Sequence, residues 1–293
     1  MGHVSAKLWA VKVSPAKVSL RESGRGSEGK AGHTQSIERA AAVLPTVARF
    51  GSGARLADVV ARTHLAKPTA HRILSGLVRA GLIEQERERR CYHLGPEAFI
   101  LGAVAADRYS VHDLCQPALQ RLAAVSHSTV FLSAVRGFEI VYLECASGSM
   151  PIKPELLQVG HRYPVGISSA GQAVLAAMDD ATAKKILAAN AKRFDEFYRA
   201  YTPARVQLLM ERARIDGFAV NPGLVRSGLW GIGVAVRDAG GKPVGALSIA
   251  ISGPISPERQ KQLVLELKRE ARGISDQLGK TPNLLQRGPT VAY

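Results

Sequence analysis

One segment, KPTAHRILSGLVRAGLIEQERERRCYHL from Lys67 to Leu94, constrains this chain more than any other. Ala70, Ile73, Leu74, Leu77 and Val78 recur at helical spacing, which puts them on one face of a helix. Pro68 occupies the favoured first position of that helix and Gly81 stops it. Thr69, Arg72, Gly76 and Arg79 share the opposite face, with Lys67 and His71 near its start. A helix that is apolar on one side and cationic on the other needs a core on one side and a polyanion on the other. A shorter apolar pattern, Leu56, Val59 and Val60, precedes it after the Gly51-Ser52-Gly53 turn and ends near Thr63. Two short helices a few residues apart make a helix-turn-helix candidate. The alternating runs 82 to 85 and 91 to 94, around a turn carrying Arg87, Arg89 and Arg90, then read as a wing.

Charge follows the same division. The chain of 293 residues carries a formal +15, with 39 Lys and Arg against 24 Asp and Glu. Residues 1 to 33 hold +4, residues 34 to 94 hold +5, and only +6 is spread over the remaining 199. A polyanion partner therefore meets the N-terminal third. A major groove admits one helix, whose N-terminal side chains reach base edges while flanking arginines neutralise phosphates. Lys67, Thr69, His71 and Arg72 are placed for the groove and the wing arginines for backbone or minor groove. Two bland readings stand beside this. Arg79 can simply complement its helix dipole, and Arg87, Arg89 and Arg90 alternate with Glu86 and Glu88 like solvated hairpin charges.

Residues 1 to 33 read as a flexible basic tail. Gly24, Gly26 and Gly29 form a formal G-x-G-x-x-G there, but without a preceding strand it reads as a chance match. Ile37 to Ala48 repeat at helical spacing, and Pro45 inside the run predicts a kink or an early end. After Gly95-Pro96 the pattern is helical to about 125, with a break or a new helix at Pro117. Hairpins are expected over 128 to 147 and 228 to 252, helices over 169 to 179 and 181 to 214, and a last helix over 257 to 278. Antiparallel hairpins with helices before, between and after them predict an α+β second domain.

Other classes find little support. The longest uncharged run, Tyr163 to Met178, is broken by Pro164, glycines and serines and falls short of the ~20 apolar residues that span a bilayer. No membrane segment or secretory signal is expected, and the cytoplasm is the default compartment. Cys91, Cys115 and Cys145 are too far apart for a metal site and too few for a disulfide scaffold. Cys145, His127, His161 and Asp238 show no catalytic spacing, so neither an enzyme, a metal nor a cofactor is expected. The remaining alternative is a basic protein that binds nucleic acid without regard to sequence.

From 34 to 278 the chain resembles the isocitrate lyase regulator (IclR) family of bacterial transcription factors. TQSIERAAAVL is similar to that family's first-helix signature. AKPTAHRILSGLVRAGLIEQ and CYHLGPEAFILG resemble its recognition helix, wing and linker helix. VGHRYPVGISSAGQAVLAAM and GFAVNPGLVRSGLWGIGVAVRDAGGKPVGALSIAISGP resemble its effector-domain segments. The resemblance implies an α+β chain in five parts: a tail (1–33), a winged helix-turn-helix (34–95), a linker helix (96–110), a GAF-like effector-binding domain with an antiparallel sheet (111–280) and a C-terminal tail (281–293). It adds Gln35, Ser36, Arg39 and Pro68 to the DNA-facing set, and a homodimer or dimer of dimers on a duplex operator, with RNA polymerase as a further partner. The family's pocket positions match Asn221, Gly231 and Ser248, and the chemistry of the neighbouring residues adds Ser168, Ser169, Gly171, Trp230 and Ile232 as expected effector contacts. Acid-sensing relatives often carry Asp, Cys and two serines where this chain has Asn221, Gly231, Ser248 and Ala250, which argues against a glyoxylate-like ligand. Helix-terminal amides at Ser168 and Ser169 favour a carboxylate. The expected ligand is thus a small organic acid, with Trp230 beside its apolar body, aliphatic or aromatic.

Overall fold

The computed structural model describes residues 29–108, 111–153 and 157–280. The tail through residue 28, two of the three glycines of the formal dinucleotide motif, and residues 281–293 lie outside them.

The N-terminal unit is built from α1 (Gly29–Ala48), α2 (Leu56–Thr63), α3 (Lys67–Arg79) and a two-stranded antiparallel sheet of β1 (Ile83–Glu86) and β2 (Cys91–Leu94). The expected apolar stripes meet in one core of Val43, Val47, Val59, Ala70, Leu74, Leu77, Ile83 and Tyr92. A bridge from Ala54 to Tyr92 ties the turn before α2 to the wing. Two sequence expectations shift here. Helix α1 already begins at Gly29, and it continues past Pro45 to Ala48. Pro45 lies close to the helix end, where few intrahelical bonds remain to be lost, and the Thr46 hydroxyl donates back to Ala42 O at 2.8 Å.

Helix α4 (Pro96–Arg108) leads to α5 (Val111–Ser126), which opens the second unit. Its sheet has the order β5-β4-β3-β8-β7-β6, antiparallel throughout. The strands are β3 (Thr129–Arg136), β4 (Glu139–Ser147), β5 (Arg162–Pro164), β6 (Ala219–Pro222), β7 (Leu229–Arg237) and β8 (Pro243–Ser252). One face packs against α5 and the last helix, α9 (Pro257–Lys280), through Leu119, Leu122, Leu132, Ile232, Leu247, Ile249 and Leu267. The other packs against α6 (Ser169–Ala177), α7 (Asp180–Phe197) and α8 (Pro203–Asp216), through Phe131, Ile140, Tyr142, Val174, Ile186 and Met210. The fold is α+β, as the patterning predicts.

Three details differ from the sequence expectations. Pro117 lies inside α5 rather than at its start, because the burial of Cys115, Ala118, Leu119 and Leu122 outweighs one missing hydrogen bond. The single helix expected over 181 to 214 is two, α7 and α8. Thr202 caps the second, accepting from the Arg205 amide, with Pro203 in its first turn. Strands β5 and β6, three and four residues long, were too short to register as patterns.

Candidate nucleic-acid interface and effector site

Helix α3 presents Lys67, Pro68, His71, Arg72 and Arg79 to solvent, with Thr69 half-buried beside them. No acidic residue lies in its first turn and Ala66 offers no side-chain cap, so the positive end of the helix dipole is left open for an anion. None of the ion pairs among the described residues engages Lys67, Arg72, Arg79, Arg87 or Arg90. Arg89 alone of the wing arginines leans on a carboxylate, Glu86, at 3.6 Å. Arg90 takes a left-handed conformation (φ 52°) that closes the wing turn. A cleft of about 380 Å³ runs between helix and wing, lined by Leu56, His71, Gln85, Arg87, Arg90 and Tyr92. Of the predicted helix and wing residues, His71, Arg87 and Arg90 line that cleft, and Lys67, Thr69, Arg72 and Arg79 do not. Gln35 and Ser36 are exposed and Arg39 half-buried on α1.

In the second unit the expected effector residues divide between two faces of the sheet. Trp230 and Ile232 pack against the cluster of α5 and α9. Gly231 and Gly233 face α6, and so does Asn221, which pairs with Gly231 and bonds to Ile167 just before that helix. Trp230 and Ile232 are thus separated from Ser168 and Ser169 by the sheet itself, since successive residues of a strand point to opposite faces. The glycines also have another role than approach to a ligand. A Cβ on Gly231 would stand 2.6 Å from Ser169 Oγ and one on Gly233 2.5 Å from Ser169 O, so they admit the start of α6 onto the sheet.

What remains on the α6 face is a buried polar cluster: Ser168, Ser169, Gln172, Asn221 and Ser248. Ser168 caps α6 by accepting from the Gly171 amide at 3.2 Å, and Tyr142 also hydrogen-bonds to it. Asn221 uses both of its amide donors within the fold. Its Nδ2 donates to Ile167 O at 2.9 Å and meets the Tyr201 hydroxyl, and its Oδ1 accepts from Leu224 N at 2.9 Å. Burial pushes the Tyr142 and Tyr201 hydroxyls well above the usual tyrosine range, which keeps both neutral donors. Gln172 was missed by sequence reasoning. Its Nε2 donates to Ile167 O at 3.1 Å, while its Oε1 is the single buried side-chain nitrogen or oxygen without a partner among the described residues. The signal was a polar residue inside the apolar run of α6. Phe131, Tyr142, Tyr163 and Tyr198 form an edge-to-face series beside this cluster, with centroids 5.2 to 6.2 Å apart.

The residues weighed for catalysis have local structural partners. His127 Nδ1 lies 3.1 Å from Ser149 Oγ, His161 Nδ1 accepts from Gln158 N at 3.4 Å, and Asp238 Oδ1 accepts from Gly240 N and Lys242 N in the β7 to β8 turn. Among the described residues no group of three or more His, Cys, Asp or Glu could hold a metal ion, and no helix is long and apolar enough to cross a membrane.

A winged head followed by an antiparallel α+β unit matches two family models. Residues 36–87 match the IclR helix-turn-helix domain and residues 103–276 the bacterial transcriptional regulator IclR C-terminal domain. The chain belongs to the IclR family. The HTH-type transcriptional repressor AllR of Salmonella typhi is 30% identical over 270 residues, covering 88% of this chain and 97% of that protein. The structure of the IclR regulator from Alicyclobacillus acidocaldarius aligns with a TM-score of 0.67 and 27% identity over 84% of this chain and 99% of that one. An IclR homologue from Microbacterium hydrocarbonoxydans, solved with 4-hydroxybenzoate, shares the fold at a TM-score of 0.62 and 22% identity, over 84% of this chain and 100% of that one. The members of this IclR group are transcriptional regulators and repressors rather than enzymes. A DNA-binding transcriptional regulator is thus the established class, and the head described above is its DNA-binding domain.

Proposed function

We propose that this regulator reads a defined duplex operator through α3 and the wing, and that a small organic acid bound on the α6 face of the sheet tunes that reading. The observation that carries it is the bare cationic face of α3 set beside the wing cleft, with no carboxylate engaging Arg72 or Arg79. Arg72 lies in the N-terminal half of the helix, where side chains reach base edges, and Arg87 and Arg90 border the cleft beside the wing. Two heads are needed for a site of useful length. The linker helix α4 supplies the means, because Phe99 (78% exposed), Leu101 (56%) and Val104 (70%) stand uncovered among the described residues. A second copy of α4 covers such a surface. Operator occupancy then acts on RNA polymerase at the promoter.

The effector reading is refined by Gln172. An acceptor left buried without a donor costs about 1–3 kcal/mol, which a ligand hydroxyl or protonated group recovers. The ligand is therefore a hydroxylated acid, its donor on Gln172 Oε1, its carboxylate near the Ser168 to Gly171 turn and its ring among Phe131, Tyr142 and Tyr201. Binding to upstream intergenic DNA, compared with scrambled DNA at physiological salt, tests the first half, and a preference of at least ~10³ is expected. Calorimetry with aliphatic and aromatic acids, 4-hydroxybenzoate included, tests the second. Gln172→Leu and Ser169→Ala should weaken the acid that binds, and Trp230→Ala should not. Equal binding to both DNAs marks a sequence-independent protein and overturns the operator reading.

A further inference from the structure

The head and the effector domain meet at a seam that the family's two domains do not by themselves explain. Arg49, directly after α1, places Nη2 2.5 Å from Glu139 Oε1 at the start of β4. Glu139 is already held within its own domain, by Arg193 of α7 at 2.7 Å and Arg162 of β5 at 3.3 Å. Arg62 of α2 lies over the ring of Phe50 in the head, 5.5 Å from its centroid, and over that of Phe197, the last residue of α7, at 5.9 Å. Gly51 lies against the Gln158 side chain.

Two features make this contact releasable rather than structural. Glu139 keeps two guanidinium partners when Arg49 leaves, so opening the seam does not strand a buried carboxylate. The head brings two more cations to a place that already has two, and desolvation together with Arg49 lowers the Arg62 guanidinium below its ordinary value. Closure is favourable but opposed by that crowding, which suits a device poised between two positions.

The same elements wall the effector side. Tyr142 of β4 bonds to Ser168, Tyr163 of β5 pairs across from Ile140, and Tyr198 caps α7. Any ligand that moves these strands or α7 moves Glu139 and Phe197 against the head.

We propose that Arg49 on Glu139 and Arg62 between Phe50 and Phe197 form a releasable latch that sets the orientation of the DNA-reading head. The latch rests on the operator reading above. Phe197 is the clean handle: it is 59% exposed, lies outside the head, and touches DNA in no reading of the fold. The experiment uses the full chain with Phe197→Ala, Phe197→Tyr and Arg49→Gln. Amide hydrogen exchange at residues 50 to 53 and 194 to 199 should speed up about tenfold or more in F197A and R49Q, with α3 and the central sheet unchanged. Affinity for upstream intergenic DNA should shift by about fivefold or more in F197A and return in F197Y, which restores the ring. Unchanged exchange and unchanged DNA affinity in F197A overturn the latch. Wild-type protein that fails to distinguish upstream from scrambled DNA overturns the operator reading instead, while the exchange result still judges the seam.

Discussion

Asn221 separates two accounts of the effector face, because a ligand contact and a structural clamp respond oppositely to truncation. In the structure Asn221 spends both amide donors, on Ile167 O and the Tyr201 hydroxyl, and its oxygen accepts from Leu224 N. In Asn221→Ala, Ile167 O keeps Gln172 Nε2 at 3.1 Å, so that carbonyl is not orphaned. Leu224 N is only partly buried and water can reach it. Tyr201 is 1% exposed, and its hydroxyl loses its partner in a dry place. One fully buried orphan and one rehydrated amide sum to a loss of about 2–4 kcal/mol. Denaturant unfolding followed by tryptophan fluorescence measures it. Replacing Trp9 by Phe leaves Trp230 as the sole tryptophan of the two, and Trp230 reports the effector domain from the far face of the same sheet. The midpoint should fall with little change in slope, and Ser248→Ala should cost under about 1 kcal/mol by the same assay. If Asn221→Ala unfolds like the parent yet loses affinity for an acid, Asn221 is a ligand contact and the clamp argument fails.

Three further outcomes follow from the same geometry. Arg72→Ala should cost about 1–3 kcal/mol on operator DNA and relax sequence preference, whereas Arg79→Ala should weaken operator and scrambled DNA alike; competition binding against both DNAs reads the difference. Val104→Glu, placing a charge in the exposed apolar stretch of α4, should shift the protein to monomers in sedimentation without lowering its melting temperature by more than a few degrees. Burial pushes the Glu139 carboxyl up, but Arg49 and Arg193 outweigh it and hold it below the usual carboxylate range. The folded protein therefore binds this proton less readily than the unfolded chain. Its stabilisation is full above the ordinary glutamate range and disappears as pH falls through the depressed value, so Glu139→Gln should flatten the acid limb of a stability against pH curve.

Local periodicity carried the head almost entirely. The stripe of α3, the Pro68 start and the Gly81 stop are short-range signals, and the core they predicted is the core observed. The effector face was legible only in part. Its strand period was plain in Trp230, Ile232 and Val234 alternating with Gly231 and Gly233, and it already forbade Trp230 and Gly231 from sharing a pocket. Residue type alone, an aromatic ring near glycines and serines, does not register that alternation. Thr202-Pro203 likewise carried the break between α7 and α8 in the form of a cap and a first-turn proline. The seam had no such trace, since Arg49 and Glu139 are 90 positions apart and neither stands in a motif. Long-range pairs of this kind emerge from packing and not from any local pattern.

Strand β4 joins these pieces physically. At one end Glu139 meets the head through Arg49. At the other Glu144 accepts from Gln116 Nε2 at 3.2 Å and pairs with His112 Nδ1 at 3.1 Å, both on α5, which follows the linker helix. Between them Tyr142 reaches Ser168 on the effector side, and the register with β3 shifts between Leu132 and Ser133 beside it. An irregular pairing of that kind lets one part of a strand move without stripping its whole ladder. On the latch proposed above, a ligand that displaced Tyr142 would act on two routes to the head at once, through α5 and the linker, and through the seam. Because coupling between sites is reciprocal in free energy, operator DNA that favours one seam position must in turn change the affinity for that ligand by the same factor.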